Sequence, residues 1–163
     1  MDAHGALKLT IGSGGFVAMA YIEDLTDADL MRRAAPKINH INWQIGHLLL
    51  SDYNHITDIL PGSMPALPEG FAERYSRDTA ASDDPAQFLN KESLQKIYHE
   101  QRAAILKALD SVSADELDRP SPEKYQQYAP TWASLFDLAG VHWLMHCGQW
   151  AVVRRQIGKP ALF

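Results

Sequence analysis

The stretch HWLMHCGQWAVVRRQIG, residues 142–158, decides the predicted fold class because it combines a helical pattern with a clear helix end. Its apolar residues recur at spacings of three and four, as they do on one face of an α-helix. Two arginines near its end precede Gly158 and Pro160. Cationic side chains favour the negative end of a helix dipole, glycine commonly follows a last helical turn, and proline cannot continue a helix. We therefore predict a helix that begins near Thr131 and ends here.

Three further segments show the same apolar spacing, at about 6–25, 38–60 and 90–109. Asn90 is a suitable N-cap for the last of these, because its side-chain oxygen can accept a hydrogen bond from the first helical turn. No segment shows the sustained alternation of apolar and polar residues that is typical of β-strands. The sequence therefore predicts an all-α fold.

The segment from Pro61 to Asn90 separates the second and third predicted helices. It is rich in Pro, Ser, Asp and Gly, and it is long enough to cross the length of a helical bundle and return. We therefore predict a four-helix bundle with a long crossover between helices 2 and 3, which makes those two helices parallel. A chain of 163 residues supplies one sizeable core, so residues 1–163 are expected to form a single domain.

The composition is that of an ordinary globular protein. Hydrophobic residues make up 46% and charged residues 21%, which excludes a disordered chain or a fibrous repeat. The formal charge of −5 makes nucleic acid an unexpected partner. The one cysteine, Cys147, excludes an internal disulfide and a cysteine zinc knuckle, and it indicates a reducing compartment. Any bound metal must therefore be held by His, Asp or Glu side chains.

The N-terminal region partly imitates a signal peptide, because Lys8 precedes the apolar run LTIGSGGFVAMA. Asp2 and a single lysine make a poor basic region, however, and three glycines interrupt the apolar run. These glycines weaken the first half of the predicted first helix, and a packing or fraying role is expected for them. No apolar run approaches the roughly 20 residues that span a bilayer. We therefore expect a soluble, cytoplasmic protein with no membrane partner.

Two histidines, His142 and His146, lie inside the apolar stripe of the fourth predicted helix. Their i,i+4 spacing stacks them on one helix face, close enough for both to bind one divalent metal ion. The alternative is that each ring forms a hydrogen bond to a neighbouring helix, as buried histidines commonly do. Trp143 stands where the HExxH motif of metalloproteases carries its glutamate, so peptidase chemistry is not expected.

A third ligand is needed, and His47 is the geometric favourite. It lies near the middle of the second helix, as the histidine pair lies near the middle of the fourth, so antiparallel packing would bring all three to one level. On a helical wheel, however, His47 shares its face with Trp43 and several polar residues, opposite the isoleucine stripe. A metal site therefore requires this face to line a cleft, and a solvent-facing His47 remains the alternative.

Two other signals are weaker. Asp52 and His55 form a single acid-x-x-His match, whereas a di-iron bundle needs two such helices and further carboxylates. Cys147 points away from His146 around the helix, which favours a small buried apolar residue over a nucleophile or a ligand.

The stretches NHINWQIGHLLLSDY, residues 39–53, and HWLMHCGQWAVVRRQIG resemble the DinB-like family of four-helix bundles. That family is related in fold to bacillithiol and mycothiol S-transferases. Its W-x-x-G-H-L pattern matches residues 43–48, and its H-x-x-x-H-x-G-Q pattern matches residues 142–149. Cys147 departs from many relatives, which carry Arg or another polar residue at this position, and this departure leaves the identity of any cofactor thiol open.

The resemblance implies one divalent metal ion, commonly zinc or nickel, held by His47, His142 and His146 with positions open to water or a thiol. It further implies an enzyme that presents a low-molecular-weight thiol to a small-molecule electrophile. Trp43, Gln44 and Gln149 are then expected to line or orient the cofactor pocket.

Three alternatives to this interpretation stay open: a metal-dependent hydrolase, a non-catalytic metal-stabilised bundle of the stress response, and a metal-free bundle with core histidines. A homodimer is also expected. Four residues of the fourth helix extend its apolar surface beyond the histidine arc: Trp143, Leu144, Met145 and Val152.

Overall fold

The computed structural model describes residues 1–160 and 162–163. Over these residues the chain forms seven α-helices and three short 3-10 helices, with no β-strand, so the predicted all-α class is confirmed. Four helices are long: α1 Ala3–Ile22, α3 Ile41–Ile59, α5 Lys91–Ser111 and α7 Trp132–Gln156. Three are single turns: α2 Asp27–Leu30, α4 Phe71–Arg74 and α6 Ala114–Leu117.

The four long helices correspond to the four predicted ones, and local side chains define their ends. Asn90 caps α5 by accepting the backbone N–H of Ser93, as predicted. The fourth helix was predicted to begin near Thr131, and the structure shows that Thr131 is its N-cap. The second helix begins later than expected because His40 is its cap, and the Nδ1 atom of this ring accepts the backbone N–H of Trp43 at 3.0 Å. Gly158 follows α7 with a φ of 75°, which a glycine adopts without strain.

The prediction that glycines weaken the first half of α1 is wrong, because the helix runs from Ala3 without a break. The backbones of α1 and α7 touch where Gly14 meets Gly140. A Cβ atom on Gly14 would collide with the carbonyl oxygen of Gly140, and one on Gly140 would collide with that of Thr10. A Cβ atom on Gly15 would collide with the Tyr98 hydroxyl. Close packing therefore explains these glycines, as one of the two expected roles.

Contacts between the helices define their relative directions. Along α3 and α7 they run in opposite order, since Gln44 meets Trp150 while Asp52 meets Trp143. Along α3 and α5 they run in the same order, since Asn42 meets Leu89 just before α5 and Asp52 meets Arg102. Antiparallel α3 and α7 therefore place their mid-helix residues at one level, where the predicted histidines lie.

Helix α1 corrects the expectation that no segment is long and apolar enough to span a bilayer. Among the described residues, α1 is the one helix that is long and apolar enough to cross a membrane, judged by length and composition alone; its mean hydropathy is 1.3. A core helix of a soluble protein passes the same test. Residues of α1 that are buried include Gly14, which packs against Gly140 of α7, and Ala18.

Candidate metal centre

Helices α3 and α7 bring His47, His142 and His146 together. One ligand nitrogen from each ring lies within 4.8 Å of the others. The ring centroid of His47 is 5.3 Å from that of His142 and 5.8 Å from that of His146, while the pair on α7 is 5.1 Å apart. The i,i+4 spacing accounts for the pair, and the antiparallel packing accounts for the third ring. All three sequence-predicted ligands therefore occupy one place.

The polar face that carries His47 points toward α7 and a cavity. The ring of His47 is half-buried and stacks on Trp43, with centroids 5.1 Å apart and an interplanar angle of 7°. The cavity measures about 460 Å³. It is lined by His47, Ser51, His55, Tyr128, Leu138, His142 and Met145. The helical wheel correctly separated the face that carries His47 from the opposite, isoleucine-rich face of the same helix. The face with His47 lines the cleft that a metal site requires.

All three imidazoles are neutral at physiological pH. Burial lowers the pKa of His142 to about 3, with further contributions from His146 and His47. Burial, and then His47, lower the pKa of His146 to about 4. Burial also lowers the pKa of His47, and the positive charge of Arg77 acts in the same direction. Neutral rings keep the lone pairs that bind a metal ion, so the cluster needs no deprotonation to act as a donor set.

Gln44 lies behind the cluster and contacts both helices. Its Oε1 atom accepts the indole N–H of Trp150 at 2.7 Å and lies 3.0 Å from Nδ1 of His146. Its amide nitrogen donates to Oε1 of Gln149 at 2.7 Å and to the carbonyl oxygen of Asn39 at 2.5 Å. The structure thus places Trp43 against His47, Gln44 against His146 and Gln149 against Gln44, while none of these three predicted lining or orienting residues is among those that line the cavity.

Sequence reasoning missed the role of His55 and Tyr128 in the cavity wall. The Nε2 atom of His55 lies 3.3 Å from the Tyr128 hydroxyl, and its Nδ1 atom is buried without a hydrogen-bond partner. Burial lowers the pKa of His55 to about 4 despite the nearby Asp58 carboxylate. The sequence pattern that could have identified His55 is its spacing from His47 and Ser51, because residues at i, i+4 and i+8 share one helix face.

Asp52 does not join the metal cluster. It is fully buried, accepts the indole N–H of Trp143 at 2.8 Å, and lies 3.8 Å from the guanidinium of Arg102. Burial raises its pKa to about 6, against the opposing effects of Arg102 and Trp143. Asp52 is therefore directed toward Trp143 and Arg102.

The other candidate histidines and the cysteine have structural roles. His4 Nε2 lies 2.7 Å from the carbonyl oxygen of Val112, His40 caps α3, and the ring of His99 packs beside Tyr98. Cys147 is buried, and burial raises its pKa to about 12, which excludes a reactive thiolate. The expectation of a small buried apolar residue is therefore confirmed.

The donor set fits a divalent transition metal. Three neutral imidazole nitrogens converge beside a cavity, which is the arrangement of mononuclear sites that keep a further position for water or substrate. Imidazole nitrogen suits zinc and nickel, among other ions of this group. Over the described residues this histidine trio is the one group of His, Cys, Asp or Glu that converges in this way.

Comparison with known proteins gives one match. A family model described as the DinB superfamily matches residues 17–150, a range that contains all three histidines. The search of curated proteins and the search of solved structures gave no match.

Proposed function

The chain belongs to the DinB superfamily, and on that premise we propose that it is a metal-dependent enzyme that transfers a low-molecular-weight thiol to an electrophile. The reaction centre is a single divalent ion, zinc or nickel, held by His47, His142 and His146. The observation that carries this proposal is the convergence of three neutral imidazole nitrogens beside a cavity.

The side chains around the trio have different roles in such a site. When bound, a divalent ion lowers the pKa of a thiol or water ligand and so supplies a nucleophile at neutral pH. The flat contact with Trp43 holds the ring plane of His47, and Gln44 contacts His146 from behind. The cavity on the open side of His47 and His142 admits the second substrate.

The lining of the cavity favours an uncharged electrophile of moderate size. Leu138, Met145 and the ring of Tyr128 supply apolar surface, while Ser51 and His55 supply polar atoms. None of the lining residues carries a formal charge, since burial keeps the histidines neutral. Apart from the metal ion held by the trio, the lining gives an anionic substrate no cationic partner to offset its lost hydration, whereas an aromatic or alkyl electrophile would bury apolar surface.

Thiol transfer is favoured over hydrolysis because the cavity lining contains no carboxylate. Asp52 faces Trp143 and Arg102 in the interior. A thiol needs little help from a base, since its unperturbed pKa is about 8.5. Hydrolysis is the second candidate, and His55 is the observation that favours it, because its neutral ring shares the cavity with His47 and can accept a proton.

We also infer that α1, α3, α5 and α7 form a four-helix bundle in which residues 61–90 cross over between parallel α3 and α5. The contacts of Asn42 with Leu89 and of Asp52 with Arg102 support this arrangement. Residues 1–163 then form one domain, for which a cytoplasmic location is proposed.

The homodimer remains a proposal with one correction. Trp143 cannot form part of a dimer surface, because it is fully buried in the core. The proposal is still supported by three apolar residues of α7 that are exposed: Leu144, Met145 and Val152. Light scattering at micromolar concentration tests it, and a monomer of 18.2 kDa would contradict it.

The test of function begins with elemental analysis of protein purified without a metal-affinity tag. Zinc- and nickel-loaded protein is then incubated with a panel of cellular thiols and an uncharged electrophile, a chlorinated nitrobenzene or an epoxide, and thioether formation is followed. We expect a rate above that of the His142→Ala variant. Turnover of an ester or amide without thioether formation would establish the hydrolase instead. A bound metal with neither activity would support the non-catalytic bundle, and protein that binds no metal would support the metal-free one.

A further inference from the structure

We propose that Gln44 sets the tautomer of His146 and thereby presents the Nε2 lone pair of this ring to the metal site. Gln44 is then a positioning residue, which acts on the metal through His146. The inference rests on the proposed metal centre for its functional meaning, but the tautomer itself is a property of the metal-free protein.

The orientation of the Gln44 side-chain amide follows from two partners whose roles cannot change. The indole N–H of Trp150 can only donate, so the atom that it meets at 2.7 Å is an oxygen. The backbone carbonyl oxygen of Asn39 can only accept, so the atom that it meets at 2.5 Å is the amide nitrogen. Both partners select the same orientation, and a flipped amide would oppose donor to donor at one end and acceptor to acceptor at the other.

The amide oxygen of Gln44 then determines which nitrogen of His146 carries the proton. Nδ1 of His146 lies 3.0 Å from this oxygen, so it must donate an N–H. A ring that binds a metal ion through one nitrogen is neutral and has a single N–H, on its other nitrogen. Nε2 is therefore left with its lone pair. The opposite tautomer would place two acceptors face to face at 3.0 Å.

Gln44 is held rigidly enough for this role. It is 2% exposed, and its remaining amide hydrogen is donated to Gln149 on the same helix as His146. Both of its donors and its oxygen are therefore occupied by groups on α7 or in the segment before α3. A rotation of Gln44 away from His146 would break three other hydrogen bonds.

The first test is nitrogen-15 NMR of the histidine rings in metal-free protein at neutral pH, which distinguishes a protonated from an unprotonated ring nitrogen. We expect His146 to carry its proton on Nδ1. A proton on Nε2 of His146 in the wild-type protein would overturn the inference without any variant being made.

The second test compares variants by the same spectra and by zinc affinity in a chelator competition. Gln44→Leu should lose the Nδ1 preference of His146 and weaken zinc binding by about 10- to 100-fold. Trp150→Phe is the matched control, since it removes another donor to the same oxygen, and it should preserve both the tautomer and the affinity.

The outcomes separate this inference from the proposed function. An unchanged tautomer and affinity in Gln44→Leu would overturn it, as would equal losses in Trp150→Phe, which would indicate general damage to the core. Wild-type protein that has the expected tautomer but binds no zinc or nickel would support the tautomer assignment and refute the metal-dependent function.

Discussion

Two clusters of polar side chains share helices α3 and α7 and differ in their surroundings. In the histidine cluster, one ring nitrogen each of His47, His142 and His146 lies within 4.8 Å of the others, and two of the three rings line a cavity. The interior cluster joins Asp52 and Trp143 by a hydrogen bond and adds Arg102 of α5, whose guanidinium lies 3.8 Å from the Asp52 carboxylate.

The difference shows how adjacent residues acquire different functions. His142 and Trp143 are neighbours in the chain, yet the helix turns one toward the cavity and the other toward the core. Removing a member of the interior cluster should affect stability, because its charges depend on each other. Removing a member of the histidine cluster should affect ligand binding, because its partner comes from outside the chain.

The largest expected effect is the loss of metal affinity in His47→Ala, His142→Ala and His146→Ala. Each variant leaves a two-ligand site, so affinity should fall by orders of magnitude. Metal content by elemental analysis measures this effect, with His40→Asn as the control, because asparagine preserves a cap for α3. Full metal retention in His47→Ala would show that His47 is not a metal ligand and would contradict the assignment of the histidine cluster as a three-ligand site.

The next effect concerns stability and the interior cluster. Asp52→Ala leaves the guanidinium of Arg102 without its buried counter-charge, so we expect the free energy of unfolding to fall by about 3 to 5 kcal/mol. Chemical denaturation measures the loss. The matched control is Ser51→Ala, one residue away on the cavity side, which should change stability by less than about 0.5 kcal/mol. Equal losses in the two variants would show that the clusters are not distinct.

The clusters should also respond to pH in opposite directions. The pKa of Asp52 is about 6 in the folded protein against a model value of 3.8, so the folded state binds more protons between these values and the Asp52 contribution falls as pH rises. The pKa of His142 is lowered from 6.5 to about 3, so the unfolded state binds more protons there and stability falls as pH decreases.

Unfolding free energies of metal-free protein between pH 4 and 6.5 test this contrast. Relative to wild type, Asp52→Asn should gain stability as pH rises through the window. His142→Ala should instead gain stability relative to wild type as pH falls. Parallel curves for all three proteins would contradict both assignments.

The smallest effect concerns Tyr128, whose hydroxyl contacts His55 at the cavity. Tyr128→Phe removes one hydrogen-bonding group from the substrate side, so the KM of the electrophile should rise by about 2- to 10-fold with little change in stability. Steady-state kinetics measures the change, with Tyr21→Phe on α1 as the control outside the cavity. An unchanged KM would show that the Tyr128 hydroxyl does not contribute to substrate binding.

Much of the fold could be predicted from the sequence because its signals are local. The caps Asn90 and Thr131 and the stop at Gly158 act within one helical turn of the residues that they order. The role of His40 as a cap was missed because histidine seldom serves there. The sequence left packing and fraying open for the glycines of α1, because the packing partners of Gly14 and Gly15, which are Gly140 and Tyr98, lie more than 80 residues away.

In the candidate site, too, local features could be predicted from the sequence, whereas contacts between distant residues could not. The spacing of four residues alone places His142 and His146 on one face of a helix, because that spacing is a local property of helix geometry. Local spacing also places His47 on a polar face. Packing between helices is what brings this face against α7, brings Gln44 to His146, and adds His55 and Tyr128 to the cavity wall. These contacts join residues 73 to 102 positions apart, and their formation depends on which helix faces pack together, a choice made by the whole core.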